Sequence, residues 1–81
     1  MIEKEISRAT LRRLPTYLSY LKSLPADASV NISATAIAAG LNMGEVQVRK
    51  DLALISDGGR PKIGYNRERL IEDIEVYLGY D

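Results

Sequence analysis

Glu45, Gln47, Arg49 and Lys50 lie close together in the stretch Gly44–Ser56, GEVQVRKDLALIS. Their side chains carry the groups that read base edges in a DNA major groove. Arginine pairs bidentately with guanine, glutamine with adenine, and a carboxylate accepts from cytosine; Val46 can touch a thymine methyl. Lys50 can reach a base or a phosphate, and Gly44 opens the stretch. A second group of cations, Arg60-Pro61-Lys62, is stiff, narrow and positive, which suits a minor groove where an A·T tract concentrates negative potential. A third, Arg8, Arg12 and Arg13, suits phosphates and adds affinity without sequence information. The backbone N–H groups from Ser33 to Thr35, at a helix start, can also hold a phosphate. A solvated surface explains each of these groups equally well when it is taken alone.

What joins them is the set of elements that must position them. Val48, Leu52 and Ile55 fall at i, i+4 and i+7, an apolar stripe that turns one side of a helix inward. Glu45, Arg49, Lys50 and Ala53 lie away from that stripe. Asp51 is too near the stripe to read a base and is expected to orient Arg49 or another cation. Ahead of this helix the sequence predicts a shorter one, capped by Ser33 and running to about Ala39, with Gly40 as its stop and Leu41 as a core plug. A helix, a short glycine-containing turn and a helix with a basic outer face form the signature of a helix-turn-helix.

The flanking segments complete the unit. Ser7 caps a helix to about Leu24 whose buried face is expected to be Leu11, Leu14, Leu18 and Leu21. Pro15 lies inside it and must kink the helix or divide it in two. Tyr17 and Tyr20 are read as lids on a small core, ring inside and hydroxyl wet. Val30–Ile32 predicts a short strand, paired with another at Ile63–Tyr65 beyond a sharp stop at Asp57-Gly58-Gly59. Asn66 caps a last helix from Arg67 to Leu78, with Leu70, Ile71, Ile74 and Leu78 inside, an acidic outer face of Glu68, Glu72, Asp73 and Glu75, and Gly79 as its end. The expected fold is mainly α with a small β-hairpin: a single winged helix-turn-helix domain over residues 1–81.

Composition narrows the function. The chain has 81 residues, no cysteine and no histidine, so cysteine-ligated zinc is excluded and most acid–base enzymes lose their usual residue. No Gly-x-Gly-x-x-Gly or P-loop spacing is present, and the exposed acids lack the alternate-residue spacing of a calcium loop. No catalytic, cofactor or metal site is expected. No run of the sequence approaches the length of a membrane span, and nothing near the N-terminus resembles a signal peptide. The net charge is zero, but residues 1–24 carry five Lys/Arg against two Glu, while residues 67–81 carry two Arg against five acids. A basic front and an acidic tail orient a domain on DNA without a basic total. The competing reading is a winged helix used for protein contact or dimerisation, which the tyrosines, the alanine-rich second helix and the neutral total would suit.

Three stretches then match one family. Ile6-Ser7-Arg8-Ala9-Thr10-Leu11-Arg12-Arg13-Leu14-Pro15-Thr16-Tyr17 resembles the opening of the redox-sensing transcriptional repressors of the Rex family. Val48-Arg49-Lys50-Asp51-Leu52 resembles their Ile-Arg-Arg-Asp-Leu string, and Gly64-Tyr65-Asn66 their wing. The resemblance covers residues 6–78. It implies a winged-helix DNA-binding domain that in the family precedes a Rossmann domain sensing NADH against NAD. It also implies a cytoplasmic bacterial homodimer that holds an inverted-repeat operator, A/T-rich by expectation, when NADH is low. By position it makes Gln47, Arg49 and Lys50 the major-groove readers and Arg60 and Lys62 the wing contacts. The sequence departs from the family at Gly44-Glu45, where a polar pair is common, at Lys50, which loses the fork of an arginine, and at Pro61-Lys62. The chain ends at Asp81, so the Rossmann domain is expected to be absent, from either an excised fragment or a stand-alone relative.

Overall fold

The computed structural model describes residues 7–56 and 63–79. In chain order the elements are α1 (Arg8–Ser23), β1 (Asn31–Ile32), α2 (Ala34–Leu41), α3 (Glu45–Ile55), β2 (Tyr65–Asn66) and α4 (Arg67–Leu78). Three helices begin at the side-chain caps that the sequence marks. The Ser7 hydroxyl accepts from the Thr10 N–H at 3.1 Å, the Ser33 hydroxyl from Ala36 at 3.0 Å, and the Asn66 carbonyl from Arg69 at 2.8 Å. Each satisfies one of the backbone donors that a helix start leaves without a partner. α3 begins at Gly44 with no side-chain cap.

All four helices contribute to one core. Leu14, Tyr17, Leu18 and Leu21 of α1 meet Ile37 and Ala38 of α2, Val48, Leu52 and Ile55 of α3, and Leu70 and Ile74 of α4. α2 packs chiefly on α3, and α1 on α4. Lys22 and Glu75 add an ion pair at 2.8 Å between α1 and α4, so Glu75 turns toward α1 and leaves the acidic outer face to Glu68, Glu72 and Asp73. The sheet is one antiparallel pair, with Asn31 opposite Asn66 and Ile32 opposite Tyr65. With α2 and α3 forming the helix-turn-helix, and β1 before α2 paired with β2 after α3, the architecture is a winged helix.

Pro15 does not divide α1, which is continuous through it: Pro15 and Leu11, whose carbonyl lacks an intrahelical donor because of the proline, both lie on the exposed side. Four expectations need correction. Leu11 is not in the core but 38% exposed, and Thr10 takes the buried position, because the Thr10 hydroxyl bonds to Asp51 of α3. The hydroxyl of Tyr17 is not wet, since it too donates to Asp51 in the interior. Gly40 does not end α2. The helix runs to Leu41, and Asn42 takes the left-handed turn at φ 57°, with the Met43 N–H returning to Ala38 O at 2.9 Å. Gly40 instead makes room for Tyr20, whose ring end occupies the space a Cβ would need.

The last correction concerns β2, which lies at Tyr65–Asn66, later than expected. Gly64 has a φ of +84°, and a Cβ there would stand 2.8 Å from the Ile32 carbonyl carbon. A left-handed, side-chain-free residue is what lets the chain close onto β1. The Asp57-Gly58-Gly59 stop lies outside the described residues. α3 has already closed at Ile55, with the Ser56 N–H bonded to Leu52 O at 2.9 Å.

Candidate nucleic-acid interface

The position of α3 is set from its inner side by one carboxylate. Asp51 is 1% exposed and is surrounded by donors. Its Oδ1 accepts from the Thr10 hydroxyl at 3.1 Å, Arg13 Nη2 at 2.9 Å and Gln47 Nε2 at 3.0 Å. Its Oδ2 accepts from Arg13 Nε at 2.6 Å and from the Tyr17 hydroxyl. Burial alone would favour the neutral acid, but the Arg13 and Tyr17 hydrogen bonds, the Arg13 charge and Thr10 outweigh it and hold Asp51 below the usual carboxylate range. The same contacts act on the partners. Burial, then Asp51, raises the Tyr17 phenol, and the hydrogen bond to Asp51 raises the Arg13 guanidinium. An arginine fork on a carboxylate fixes direction as well as distance, so the network pins the first turns of α1 to the middle of α3.

Asp51 therefore orients a cation, and that cation is Arg13, not Arg49. Arg13 is in turn withdrawn from the basic surface where the sequence had grouped it with Arg8 and Arg12. Those two remain exposed on α1. The sequence does not mark Thr10, Arg13 and Tyr17 as partners of Asp51; their spacings of three and four residues, beside the leucine stripe on the same helix, are the signal that points to them.

The outward side of α3 carries Val46, Arg49, Lys50 and Ala53, all exposed, with Val46 at 66%. Gln47 is exposed but turned along the helix to Asp51, so one of its amide protons is already engaged. Glu45 and Arg49 form an i, i+4 pair, with Arg49 Nε at 2.8 Å from Glu45 Oε2 and Nη2 on the same oxygen. The nearby Thr35 hydroxyl at the start of α2 first, and then Arg49, lowers the Glu45 carboxyl from its ordinary value. Ser33 is exposed and occupied as a cap. Gly44 has no neighbour where a Cβ would stand. Arg60 and Lys62, expected on the wing, lie outside the described residues.

A cationic helix face held rigidly from behind, with a capped helix start beside it, can enter a groove and meet phosphate on either side. The sequence comparisons agree with that geometry. A family model described as "Putative DNA-binding protein N-terminus" matches residues 5–53. The redox-sensing transcriptional repressor Rex of Treponema denticola is 42% identical over 79 residues, covering 98% of this chain and 38% of that protein. Rex of Porphyromonas gingivalis is 35% identical over 80 residues, covering 99% of this chain and 37% of that protein. The chain thus spans less than two fifths of the length of these relatives. A crystal structure of RSP in complex with beta-NAD+ and operator DNA superposes with a TM-score of 0.82 at 31% identity, over 95% of this chain and 36% of that one. The chain belongs to the family of N-terminal DNA-binding domains carried by the Rex redox-sensing repressors.

Proposed function

We propose that this domain binds double-stranded DNA sequence-specifically, with α3 in the major groove, as the DNA-binding part of a cytoplasmic Rex-like repressor. The observation that carries this reading is the two-sided construction of α3. Asp51 and the stripe Val48, Leu52 and Ile55 fix it from within, while Val46, Arg49 and Lys50 stand outward on its first turns. Arg49 and Lys50 read or touch bases, and Gln47 reads with the part of its amide that Asp51 leaves. Arg8, Arg12, Ser33 and Thr35 lie where phosphates pass. Arg60 and Lys62 reach the minor groove. The site is an A/T-rich inverted repeat bound by a homodimer.

In the full-length protein, response to NADH against NAD belongs to a separate domain. The described residues do not fit a dinucleotide, because no strand-to-helix turn here carries the Gly-x-Gly-x-x-Gly spacing that brings backbone to a pyrophosphate. The protein-contact reading is weakened at Tyr17, which is interior, and at Ala34 and Ala38, which are core residues, while Tyr77, Ala36 and Ala39 stay exposed. Among the described residues, no helix is long and apolar enough to cross a membrane.

Fluorescence anisotropy with an A/T-rich inverted repeat and a scrambled duplex, across a salt series, tests the proposal. A sequence preference with a steep salt slope is expected, because each neutralised phosphate releases counterions. Equal affinity for both duplexes, or none at low salt, would overturn it. Arg49→Ala should cost about tenfold or more in affinity for the preferred duplex and flatten the preference at one base pair.

A further inference from the structure

The Glu45–Arg49 pair is the unexpected feature of the reading face. A carboxylate beside a DNA groove repels phosphate, and the sequence alone leaves it either as a cytosine acceptor or as a liability. Its geometry indicates a third role. Glu45 contacts Arg49 through Nε and Nη2, both on one oxygen. A guanidinium has two edges that can offer parallel N–H pairs. With the Nε–Nη2 edge turned back along the helix to Glu45, the edge made by Nη1 and the second proton of Nη2 points away from it. That outer edge has the spacing that matches guanine O6 and N7.

We propose that Glu45 is a positioning residue that aims Arg49 at a guanine. The proposal rests on the reading of α3 as the DNA-reading helix. A long arginine side chain loses rotamer freedom when it binds. Holding it beforehand removes part of that cost for the one base it is aimed at. The carboxylate also penalises any arrangement in which Arg49 swings away to a phosphate, because Glu45 would then face the backbone uncompensated. The pair therefore exchanges general affinity for selectivity at one position.

The experiment is a selection from a randomised duplex library with the unaltered domain, followed by single-base substitution profiles of the selected site for Arg49→Ala, Glu45→Ala and the double variant. Thermal melting of each variant checks that it folds. Arg49→Ala is expected to erase the preference for guanine at one base pair. Glu45→Ala should weaken the preference at that same pair by about fivefold, the lower end of what a bidentate arginine supplies, and should have no further effect once Arg49 is alanine. Affinity for scrambled duplex should rise. If Glu45→Ala relaxes a different base pair and adds to Arg49→Ala, Glu45 reads its own base and the proposal fails. If Glu45→Ala raises affinity for all duplexes equally and leaves the profile intact, Glu45 only repels phosphate and the proposal fails. An unaltered domain that selects no sequence overturns the underlying reading instead, and does so before any variant is made.

Discussion

Two arginine–carboxylate pairs meet at α3, one on each side. On the inner side, Asp51 is 1% exposed and Arg13 27%. On the outer side, Glu45 is 42% exposed and Arg49 63%. The chemistry is the same and the consequences differ. The inner carboxylate gathers its donors mainly from another helix: Thr10, Arg13 and Tyr17 stand 41, 38 and 34 residues away. Removing it strands a cation and two hydroxyls in a poorly solvated place. The outer pair joins neighbours on one helix turn in open water, where such pairs contribute little to stability and can be exchanged for another partner. One pair determines where the helix lies, and the other is available for what the helix meets.

Substitutions can break this contrast. The largest effect is expected from Asp51→Ala, which should lower unfolding free energy by about 3 kcal/mol, read from urea denaturation, and weaken DNA binding through the displaced helix. An unchanged midpoint would show that the inner pair does not hold α1 to α3. Tyr17→Phe keeps the ring in the core and removes one donor to a charged acceptor, so about 1.5–2 kcal/mol is expected. Acid should produce a smaller and partial loss. Asp51 is held below its unfolded value, so its contribution is present above an unfolded carboxylate pKa of about 4 and fades as pH falls through the lower folded value. Following the melting temperature from pH 6 downward should show the decline begin near that point in the unaltered domain and shrink in Asp51→Asn. The smallest effect on folding should come from Arg49→Ala, whose melting temperature should match the unaltered domain even as its DNA selectivity drops. A large drop in melting temperature would mean that the outer pair is structural after all.

The same contrast explains what the sequence discloses. Local signals were readable: the caps at Ser7, Ser33 and Asn66, the inward stripe of α3, and the left-handed end at Gly79, φ 74°. Each depends on residues within one or two helix turns. Asp51 was readable only as a charge close to an apolar stripe, because its donors lie far away in the chain. Leu11 and Thr10 are adjacent and differ in angle by about 100°, so choosing which one faces inward needs the Asp51 contact and not periodicity alone. Gly40 looked like a helix stop because its real constraint, the Tyr20 ring, comes from α1. The outer face disclosed its residue types but not that Glu45 and Arg49 hold each other, since i, i+4 spacing permits a pair without requiring it.

Asn66 has a consequence for how the domain moves. It is the last residue of β2 and also the cap of α4, and the next N–H, that of Arg67, is bonded to Val30 O at 2.8 Å. No spare residue separates strand from helix. The stem of the wing and the axis of α4 therefore act as one stiff lever with no slack at the joint: a turn applied to α4 is transmitted to the strand pair at once, without being absorbed by a linker.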